Sequence, residues 1–492
     1  MLNLVCVNIN TNTFHRKKIY NNVIIIKKSN VEPEHRGIIN KFVRDCIVSH
    51  TFRAGKRDKT LKHEPVISSA QCYTFPIHMM RQLKSILKFN SIEFKIYNKI
   101  TYPDIDAFSY EYVTEIWKEK QELIDDIHDQ LIKRGGASLM LNTGKGKTVI
   151  LTNLIWKLGL SRVIIFVPNK TLQRQMLKDS MKHLNLNRSQ VKLIGGLATK
   201  DDKAMIEIPP LTICVARSGT NMLDKDWLCF NNYSFAVFDE AHTFCSDKNR
   251  ELLYATTTKY KLALSASIDE PWNNRIIFDS CGALINGDEY IPDPDFETNV
   301  EIIKYYGPPE YTRIIHNEKT GMVSYSETID MLADDHYRNY MILDLIDERL
   351  KQGTNMFVFG YTKKMIDVLY DMFNEYCSTS IAGKITGDVP FEERDKVMRD
   401  ANVIFITYST GSIGLNIPRF TEILFASPFV KNGKQISGRT LRMGFNNRLA
   451  RYYFDIVDMR TTLKHQMRKR IEGAWALRGA TITHKEVYYD EK

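Results

Sequence analysis

A short glycine-rich run carries the residue types that bind phosphate groups. Residues 141–148 read Leu-Asn-Thr-Gly-Lys-Gly-Lys-Thr, between an apolar segment and the helical pattern Val149–Leu158. Glycines let backbone N–H groups approach a phosphate closely, Lys147 would reach the β- and γ-phosphates, and the Thr148 hydroxyl would coordinate Mg²⁺. The full pattern begins with glycine where this chain has Leu141, so the run alone also fits an ordinary glycine-rich turn.

A second group of residues supplies the acids that nucleotide hydrolysis requires. The apolar run Phe235–Phe238 ends in Asp239 and Glu240, 92 residues beyond Lys147. Open α/β sheets bind ligands at the carboxyl ends of their strands, so both carboxylates are predicted at that edge. Asp239 would hold Mg²⁺ through water, and Glu240 would orient and deprotonate the attacking water. The alternative is a helix with an acidic first turn.

The elements that must position these groups alternate between short β-branched runs and longer helical patterns. This alternation, from about Gly135 onward, predicts parallel sheets covered by helices, in two series. The first series of strands is Ala137–Leu141, Val163–Val167, Thr212–Val215, Phe235–Phe238 and Leu262–Ser265. The second series is Met356–Phe359, Val403–Ile406, Ile423–Ala426 and Tyr453–Val457. The predicted fold class is α/β, with two tandem parallel-sheet domains and a small basic N-terminal α+β domain.

The predicted domain boundaries follow from this alternation of strand and helix patterns. Residues 1–110 form a basic accessory domain, 111–300 the first α/β domain, 301–470 the second, and 471–492 a C-terminal tail. The stretch Asp269–Pro309, rich in Asp, Pro and Gly, is predicted to cross between the two α/β domains. A hairpin from Tyr311–Ile315 to Met322–Tyr325 and the helix Asp335–Gln352 follow it. In the N-terminal domain the expected elements are Val23–Ile26 and Glu93–Tyr97 as strands, and Ile39–Val48 and Pro76–Lys88 as helices.

The charge distribution predicts a polyanionic partner. Residues 1–100 contain 18 Lys+Arg against 6 Asp+Glu, whereas the whole chain of 492 residues has 68 against 58. The positive excess is therefore N-terminal, which indicates nucleic acid or an anionic membrane surface, with a solvated basic face as the alternative. The aromatic residues Phe75, Phe89, Phe94 and Tyr97 of this region are predicted core residues, because a base-stacking platform would need them exposed.

Composition excludes several protein classes. Hydrophobic residues make up 43% and charged residues 26% of the chain, which disfavours a disordered protein, a collagen or a coiled coil. The eight cysteines form no CxxC pair, so neither a zinc site nor a disulfide framework is indicated, and a reducing compartment fits best. No apolar run reaches the roughly 20 residues of a membrane span. We therefore expect a soluble, intracellular protein.

Further motifs follow along the chain. They are Val167–Gln175, Gly195–Gly196, Ala216–Gly219, Ser265–Ser267, Phe359–Thr362, Thr386–Asp388 with Glu393–Arg394, Thr407–Pro418 and Gln435–Arg442. Together with the phosphate-binding run and the Asp-Glu-Ala-His (DEAH) tetrapeptide, this ordered set resembles the superfamily 2 helicases over about residues 111–460. In layout it is most similar to the phage UvsW-type recombination-repair helicases, followed by the XPB-like and poxvirus transcript-release helicases. The resemblance implies that both α/β domains are RecA-like.

The resemblance also assigns roles at the nucleotide. Gln121, 26 residues before Lys147, stands where related proteins contact adenine, and Gln130 is the competing candidate. The implied cofactor-binding residues are Gln121, Thr143, Gly144, Lys145, Gly146, Lys147, Thr148, Gly414 and Asn416. The implied catalytic residues are Lys147, Asp239, Glu240, Gln435, Arg439 and Arg442, with Thr148 and Asp239 as the metal ligands. Gln435, Arg439 and Arg442 share one helix face, from which the two guanidinium groups would stabilise the γ-phosphate; a surface helix is the alternative.

The remaining motifs resemble the strand-binding loops of the family. Helix N-termini, hydroxyl groups and backbone donors hold phosphodiesters without reading bases. The implied nucleic-acid-binding residues are Pro168, Lys170, Arg174, Gly195, Gly196, Arg217, Ser218, Tyr361, Thr362, Thr386, Gly387, Thr407, Thr410 and Gly411. The alternative for the loops in the first α/β domain is that they are helix caps or plain connections.

The function implied is an ATP-dependent translocase or helicase that remodels or unwinds duplex or branched DNA in repair, recombination or replication, with ATP and Mg²⁺ as cofactors. One alternative is an RNA-directed or transcription-coupled motor that releases transcripts. Another is a nucleic-acid-binding scaffold with a decayed ATPase, which the departures Leu141, Ser267 and Asn416 make arguable. The retained Lys147 and Glu240 argue against decay.

The expected partner is nucleic acid, with DNA favoured over RNA and no membrane. Replication, repair or transcription proteins are further expected partners of a monomeric chain. A viral origin would place the protein in the host cytoplasm or the virion.

Overall fold

The computed structural model describes residues 1–8, 22–54, 57–104, 107–142, 144–268, 270–291, 297–318, 321–377, 380–411, 419–428, 450–475 and 479–489. The chain divides into two compact units, Met1–Asn142 with Gly146–Pro292, and Asp293–Lys492 with Thr143–Lys145. In the described part of the chain, none of the helices combines the length and apolar character needed to span a membrane.

The N-terminal part of the first unit is an α+β domain. Its elements are β1 (Leu2–Asn8), β2 (Asn22–Lys27), α1 (Pro33–Asp45), β3 (Val48–Ala54), β4 (Arg57–His63), β5 (Ile67–Ser68), β6 (Cys72–Pro76), α2 (Met80–Phe89) and β7 (Phe94–Asn98). The sheet has the order β5-β6-β2-β1-β7, and β3 pairs with β4 in a separate hairpin. One sheet face packs under both helices, because Leu2, Leu4, Ile24 and Ile26 share a buried cluster with Phe42 of α1. Leu83 and Leu87 bring α2 into the same cluster.

This domain is held on the rest of the first unit by buried polar contacts. The His63 imidazole lies 3.0 Å from the Asp279 carboxylate and 3.2 Å from the Tyr254 hydroxyl. Arg275 donates to the same Asp279 oxygen at 2.9 Å. The His78 ring packs on the backbone of Gly136, and a Cβ added to Gly136 would stand 2.5 Å from that ring. The basic domain is therefore docked on the strand that leads to the glycine-rich run.

The remainder of the first unit is a parallel sheet covered by helices. Its strands are β8 (Gly136–Met140), β9 (Val163–Val167), β10 (Val191–Ile194), β11 (Leu211–Val215), β12 (Phe235–Asp239), β13 (Tyr260–Ser265) and β14 (Leu284–Asn286). Its helices are α3 (Lys118–Arg134), α4 (Lys147–Leu158), α5 (Lys170–His183), α6 (Lys200–Ala204), α7 (Ala216–Leu223), α8 (Arg250–Ala255) and α9 (Pro271–Cys281). The order β10-β11-β9-β12-β13-β8-β14 places β12 and β8 on either side of β13.

The second unit contains another parallel sheet, in the order β17-β18-β16-β19-β20-β15-β21. Its strands are β15 (Thr298–Tyr306), β16 (Met356–Gly360), β17 (Ala382–Ile385), β18 (Val403–Thr407), β19 (Glu422–Phe425), β20 (Arg451–Asp458) and β21 (Thr481–Tyr488). Its helices are α10 (Tyr325–Leu332), α11 (His336–Lys351), α12 (Lys363–Tyr376), α13 (Phe391–Asp400), α14 (Tyr408–Gly411) and α15 (Met467–Arg470).

A buried arginine fixes one end of the second sheet. The Arg338 guanidinium, which is fully buried, donates to both carboxylate oxygens of Asp458 at 2.6 and 3.1 Å. It also donates to the Ala426 carbonyl at 2.5 Å, just beyond β19. A buried charge needs acceptors of this kind, because an unpaired one costs several kcal/mol.

The predicted α/β class is confirmed, and all nine strands predicted for the two series form, to within one or two residues at their ends. The predicted crossing stretch Asp269–Pro309 contains the boundary between the two units. It also forms α9, β14 and β15, which were not predicted. The predicted hairpin is reduced to a single bridge, His316 with Val323, because Tyr325 already begins a helix. Within the predicted tail, β21 adds an edge strand to the second sheet.

Candidate active site

The phosphate-binding run forms a tight loop between β8 and α4. Gly144 and Gly146 have φ angles of 89° and 86°, a left-handed backbone that residues with a Cβ rarely adopt. Gly146 is the N-cap of α4, so Lys147 and Thr148 occupy its first turn. The exposed N–H groups and the dipole of a helix N-terminus favour an anion at this position.

Leu141, which replaces the first glycine of the pattern, is a core residue. Its side chain is fully buried in the cluster beneath the sheet. Its backbone N–H donates to the Ser265 carbonyl at 2.9 Å, which ties the entry of the loop to the end of β13. The departure therefore affects the strand that supports the loop and leaves Gly144 and Gly146 in place.

The two predicted carboxylates meet the predicted lysine at the end of β12. Lys147 Nζ lies 3.7 Å from Glu240 Oε1, close enough for an ion pair but too long for a hydrogen bond. Lys147 Nζ and Glu240 Oε2 are both buried, and neither has a hydrogen-bond partner among the described residues. Glu240 also has φ 50° and ψ 52°, a strained conformation for a residue with a side chain, of the kind found at functional sites. Lys147 Nζ is suited to bind a phosphate oxygen, and Glu240 Oε2 is suited to bind a water molecule.

Burial and the neighbouring acid shape the electrostatics of this site. Asp239 is 8% exposed, and burial, followed by the charge of Glu240, raises its pKa to about 7. The positive charge of Lys147 lowers the pKa of Asp239. A carboxyl whose ionisation is disfavoured in this way gains when a cation is bound beside it, so Asp239 and the Thr148 hydroxyl are suitable ligands for Mg²⁺.

The histidine of the DEAH tetrapeptide connects this site to the next strand. His242 Nδ1 lies 2.8 Å from Ser265 Oγ and 3.6 Å from Glu240 Oε2. Ser265 Oγ in turn donates to the Ser267 carbonyl at 3.0 Å. Burial lowers the pKa of His242. The His242 imidazole therefore lies between Glu240 and the Ser265–Ser267 motif and contacts both.

Sequence analysis missed a cation beside the phosphate loop. Lys120 Nζ lies 3.0 Å from the point where a Cβ on Gly146 would stand, and 4.2 Å from the centroid of the Trp117 ring. Burial lowers its pKa. This contact brings the N-terminal end of α3, which carries Gln121, to the loop, whereas Gln130 lies more than two turns further along the helix. The only signal for Lys120 in the sequence was its position next to Gln121.

The predicted strand-binding loops of the first unit are locked together by a second residue that sequence analysis missed. The fully buried Gln173 donates to the carbonyls of Ile194 and Ile213 at 3.3 and 3.0 Å. Its Oε1 accepts from the N–H of Leu197 at 2.8 Å. A Cβ on Gly196 would stand 2.3 Å from that same oxygen. The sequence signal for Gln173 was a polar residue on the buried face of α5.

The loop residues predicted to grip a strand occupy positions consistent with that role. Gly195 packs against Ser218, whose Oγ would lie 1.8 Å from a Cβ at that glycine. Lys170 begins α5 and is exposed, as is Arg217 in the first turn of α7. Pro168 and Arg174 are half-buried. Asn169 caps α5 by accepting from two backbone N–H groups, which orders the turn.

In the second unit, the predicted loop residues divide into exposed and internally bonded groups. Tyr361 is exposed, its N–H donates to Ser427 Oγ at 2.9 Å, and Thr362 caps α12. The Thr386 and Thr407 side chains are buried and donate to Asp388 Oδ1 and Thr410 Oγ1, so these hydroxyls shape their loops. Gly387 and Gly411 flank these positions; a Cβ at Gly411 would stand 2.3 Å from the Phe359 ring.

Six predicted residues lie outside the described part of the chain: Thr143, Gly414, Asn416, Gln435, Arg439 and Arg442.

Comparisons with known proteins identify two matching families. Residues 113–270 match the family described as Type III restriction enzyme, res subunit, and residues 338–444 match the Helicase conserved C-terminal domain. An African swine fever virus protein, provisionally named ATP-dependent RNA helicase QP509L, is 28% identical over 72% of both chains. The ATP-dependent DNA helicase uvsW of Enterobacteria phage T4 is 23% identical over 70% of this chain and 68% of its own.

A solved structure shows the same fold. Dbp5 of S. cerevisiae, bound to RNA and ADP BeF3, aligns with a TM-score of 0.53 and 14% identity over 76% of this chain and 95% of its own.

Proposed function

This chain belongs to the superfamily 2 helicases and is an ATP-dependent helicase, and from that premise we propose that it uses ATP and Mg²⁺ to translocate on and remodel duplex or branched DNA. The observation that carries the proposed chemistry is the placement of Lys147 beside Glu240 at the phosphate loop. One buried polar atom of each has no hydrogen-bond partner in the part of the chain that the structure describes. Such a pair is expected where a phosphate and an attacking water bind.

In the proposed reaction each residue has a distinct task. The loop N–H groups and Lys147 hold the β- and γ-phosphates, and Glu240 Oε2 accepts a proton from the water that attacks the γ-phosphorus. The bond from the γ-phosphorus to the bridging oxygen breaks, and ADP and phosphate leave. Thr148 and Asp239 would hold Mg²⁺, which would supply positive charge against the phosphates when bound. Arg439 and Arg442 are proposed to stabilise the charge that develops on the γ-phosphate.

DNA is proposed as the substrate because of the docked basic domain. The N-terminal domain, whose residues 1–100 include 18 cationic against 6 acidic side chains, packs on α9 through His63 and on β8 through His78. A docked cationic domain increases affinity for a polyanion and gives it a salt-dependent term. The likeness to the phage protein named as a DNA helicase supports the same choice.

The second candidate is an RNA-directed motor. The observation that favours it is the likeness to the African swine fever virus protein, whose provisional name specifies RNA. The proposed loop contacts go to phosphates and sugars, so they are compatible with both nucleic acids.

Steady-state ATPase activity distinguishes the candidates. Wild type is assayed without nucleic acid and with single-stranded DNA, duplex DNA, a four-way DNA junction or RNA, and Lys147→Ala is the inactive control. We expect duplex or junction DNA to stimulate turnover most. Preferential stimulation by RNA would establish the second candidate, and equal rates with and without every nucleic acid would contradict both.

A further inference from the structure

The edge strand of the N-terminal sheet is open to solvent. β7 is the last strand in the order β5-β6-β2-β1-β7, and in the described part of the chain no strand pairs with its outer side. Its inner side pairs in parallel with β1, with Asn3 opposite Lys95 and Val5 opposite Tyr97. Four of its five residues are exposed. An edge of this kind usually carries charged groups that block association with other strands.

Alternation along β7 separates two kinds of side chain. Phe94 and Ile96 lie in register with Leu2 and Leu4, on the face covered by α1 and α2. Lys95 and Tyr97 point to the opposite face, because successive side chains of a strand alternate, and Lys99 continues this row. We define the β7 face as the row formed by Lys95, Tyr97 and Lys99.

The β7 face combines an accessible ring with cations. Tyr97 is 38% exposed, contrary to the core position predicted from the sequence, while Phe75 is fully buried as predicted. Lys95 Nζ lies 5.4 Å from the centroid of the Tyr97 ring. The two lysines are each two residues from Tyr97, about 6.6 Å along the strand. An aromatic ring is thus flanked on both sides by positive charge.

The charges along this row favour a polyanion over a protein partner. Lys95 and Lys99 flank Tyr97, and the one acid of the segment, Glu93, precedes Lys95 just before the strand begins. The cations of α2 lie on the other face of the sheet. Nucleic-acid surfaces that bind unpaired strands use this combination, since every base has a face that can stack and every phosphate a charge.

We propose that the β7 face binds single-stranded nucleic acid, with Tyr97 stacking on an unpaired base and Lys95 and Lys99 contacting the phosphates beside it. This inference rests on the proposed nucleic-acid motor and adds a second strand contact, outside the parallel sheets. It gives the accessory domain the ability to distinguish an unpaired strand from a closed duplex, whose bases are already stacked on one another.

The test measures binding by the full-length protein without nucleotide. The probe is fluorescein-labelled oligothymidylate of 20 residues, compared with a hairpin duplex, and fluorescence anisotropy gives the dissociation constants. Tyr97→Ala should weaken oligothymidylate binding about tenfold and duplex binding less than twofold. Tyr97→Phe should bind like wild type. Tyr340→Ala, which removes a tyrosine of similar exposure from α11, is the matched control and should change neither.

The lysines are tested through salt dependence. Replacing both Lys95 and Lys99 by Gln should reduce the slope of log K against log salt by about 1.4, since each phosphate contact contributes about 0.7 on a single strand. Lys133→Gln, an exposed lysine of α3, is the control. Unchanged oligothymidylate affinity in Tyr97→Ala, or an equal loss on duplex, would overturn the inference, as would an unchanged slope.

The two proposals fail separately. If wild-type ATPase activity is insensitive to every nucleic acid, the proposed motor is wrong, whereas the oligothymidylate measurements still report on the β7 face. If nucleic acid stimulates the ATPase but Tyr97→Ala binds oligothymidylate like wild type, only the β7 face is wrong.

Discussion

Replacing Asp239 by Asn should abolish ATP turnover and, at the same time, stabilise the nucleotide-free protein. Asp239 lies at the end of β12 beside Glu240, and burial together with that acid raises its pKa to about 7. The folded protein therefore holds a carboxylate where ionisation is unfavourable. A neutral amide of nearly the same shape removes this penalty and the candidate Mg²⁺ ligand together.

The size of the effect follows from the difference between the folded and unfolded pKa values. The ordinary value is 3.8, and each pKa unit corresponds to about 1.4 kcal/mol, so the upper bound on the penalty is about 4 kcal/mol. We expect a gain of about 2 kcal/mol, because a buried amide also pays a desolvation cost.

The pH dependence has a definite sign. Because the folded-state pKa is above the unfolded one, the folded state binds more protons, and stability falls as the pH rises from about 4 to 7. The penalty is absent below pH 4 and constant above pH 7. The advantage of Asp239→Asn over wild type should therefore be larger at pH 8 than at pH 5.

Thermal unfolding followed by circular dichroism in EDTA, at pH 5 and pH 8, measures this difference. Asp202→Asn is the control of opposite sign, since Arg188 and the loop N–H and hydroxyl groups outweigh the effect of burial and lower the pKa of Asp202 to about 2. That variant should be destabilised by nearly the same amount at pH 5 and at pH 8, because both values lie above the ordinary carboxyl pKa of 3.8. The reasoning is refuted if Asp239→Asn unfolds at or below the wild-type temperature at pH 8 while Asp202→Asn behaves as expected.

Three further variants have expected outcomes. Lys120→Ala should raise KM for ATP at least fivefold with little change in kcat, since it removes a cation beside Gly146, and Lys118→Ala is its control in steady-state ATPase assays. Gln173→Ala should weaken single-strand binding in anisotropy measurements and leave basal turnover within twofold, because three loop backbone groups lose their partner. Arg338→Met should cost about 3–5 kcal/mol in urea unfolding, because Asp458 is left buried and unpaired; a cost below 1 kcal/mol would contradict that role.

The sequence predicted the parts of the fold that are buried on both faces. Strands such as Val163–Val167 and Val403–Thr407 are continuous apolar runs, which is the pattern of a parallel sheet covered by helices. Short or exposed strands carried no such pattern. β14 has three residues, and β21 is exposed along most of its length. Both depend on pairing with a neighbour that sequence reasoning did not place.

The errors in the connecting segments also have physical causes. The helix α9 within the crossing stretch was not predicted; proline is favourable in the first turn of a helix, and Pro271 starts α9. Tyr325 was taken as the end of a hairpin strand, but it begins α10, and the Ile329 and Leu332 side chains bury that helix against the second core.

The candidate site was predictable where its residues are neighbours in sequence. Lys147 and Glu240 belong to contiguous motifs, and the structure places them 3.7 Å apart. Lys120 and Gln173 take their positions from tertiary packing instead. The contacts that place them at the site are with groups 21 to 40 residues away, such as Gly146 for Lys120 and Ile213 for Gln173, and no local pattern specifies them.

The most direct test of the proposed chemistry is ATP turnover by Glu240→Gln beside wild type, with and without DNA. Glutamine keeps the size of the side chain and cannot accept the proton of the attacking water. We predict that wild type is stimulated by DNA, and that Glu240→Gln binds ATP but turns it over at least 100-fold more slowly under both conditions. Turnover by Glu240→Gln within twofold of wild type would contradict the assignment of this site.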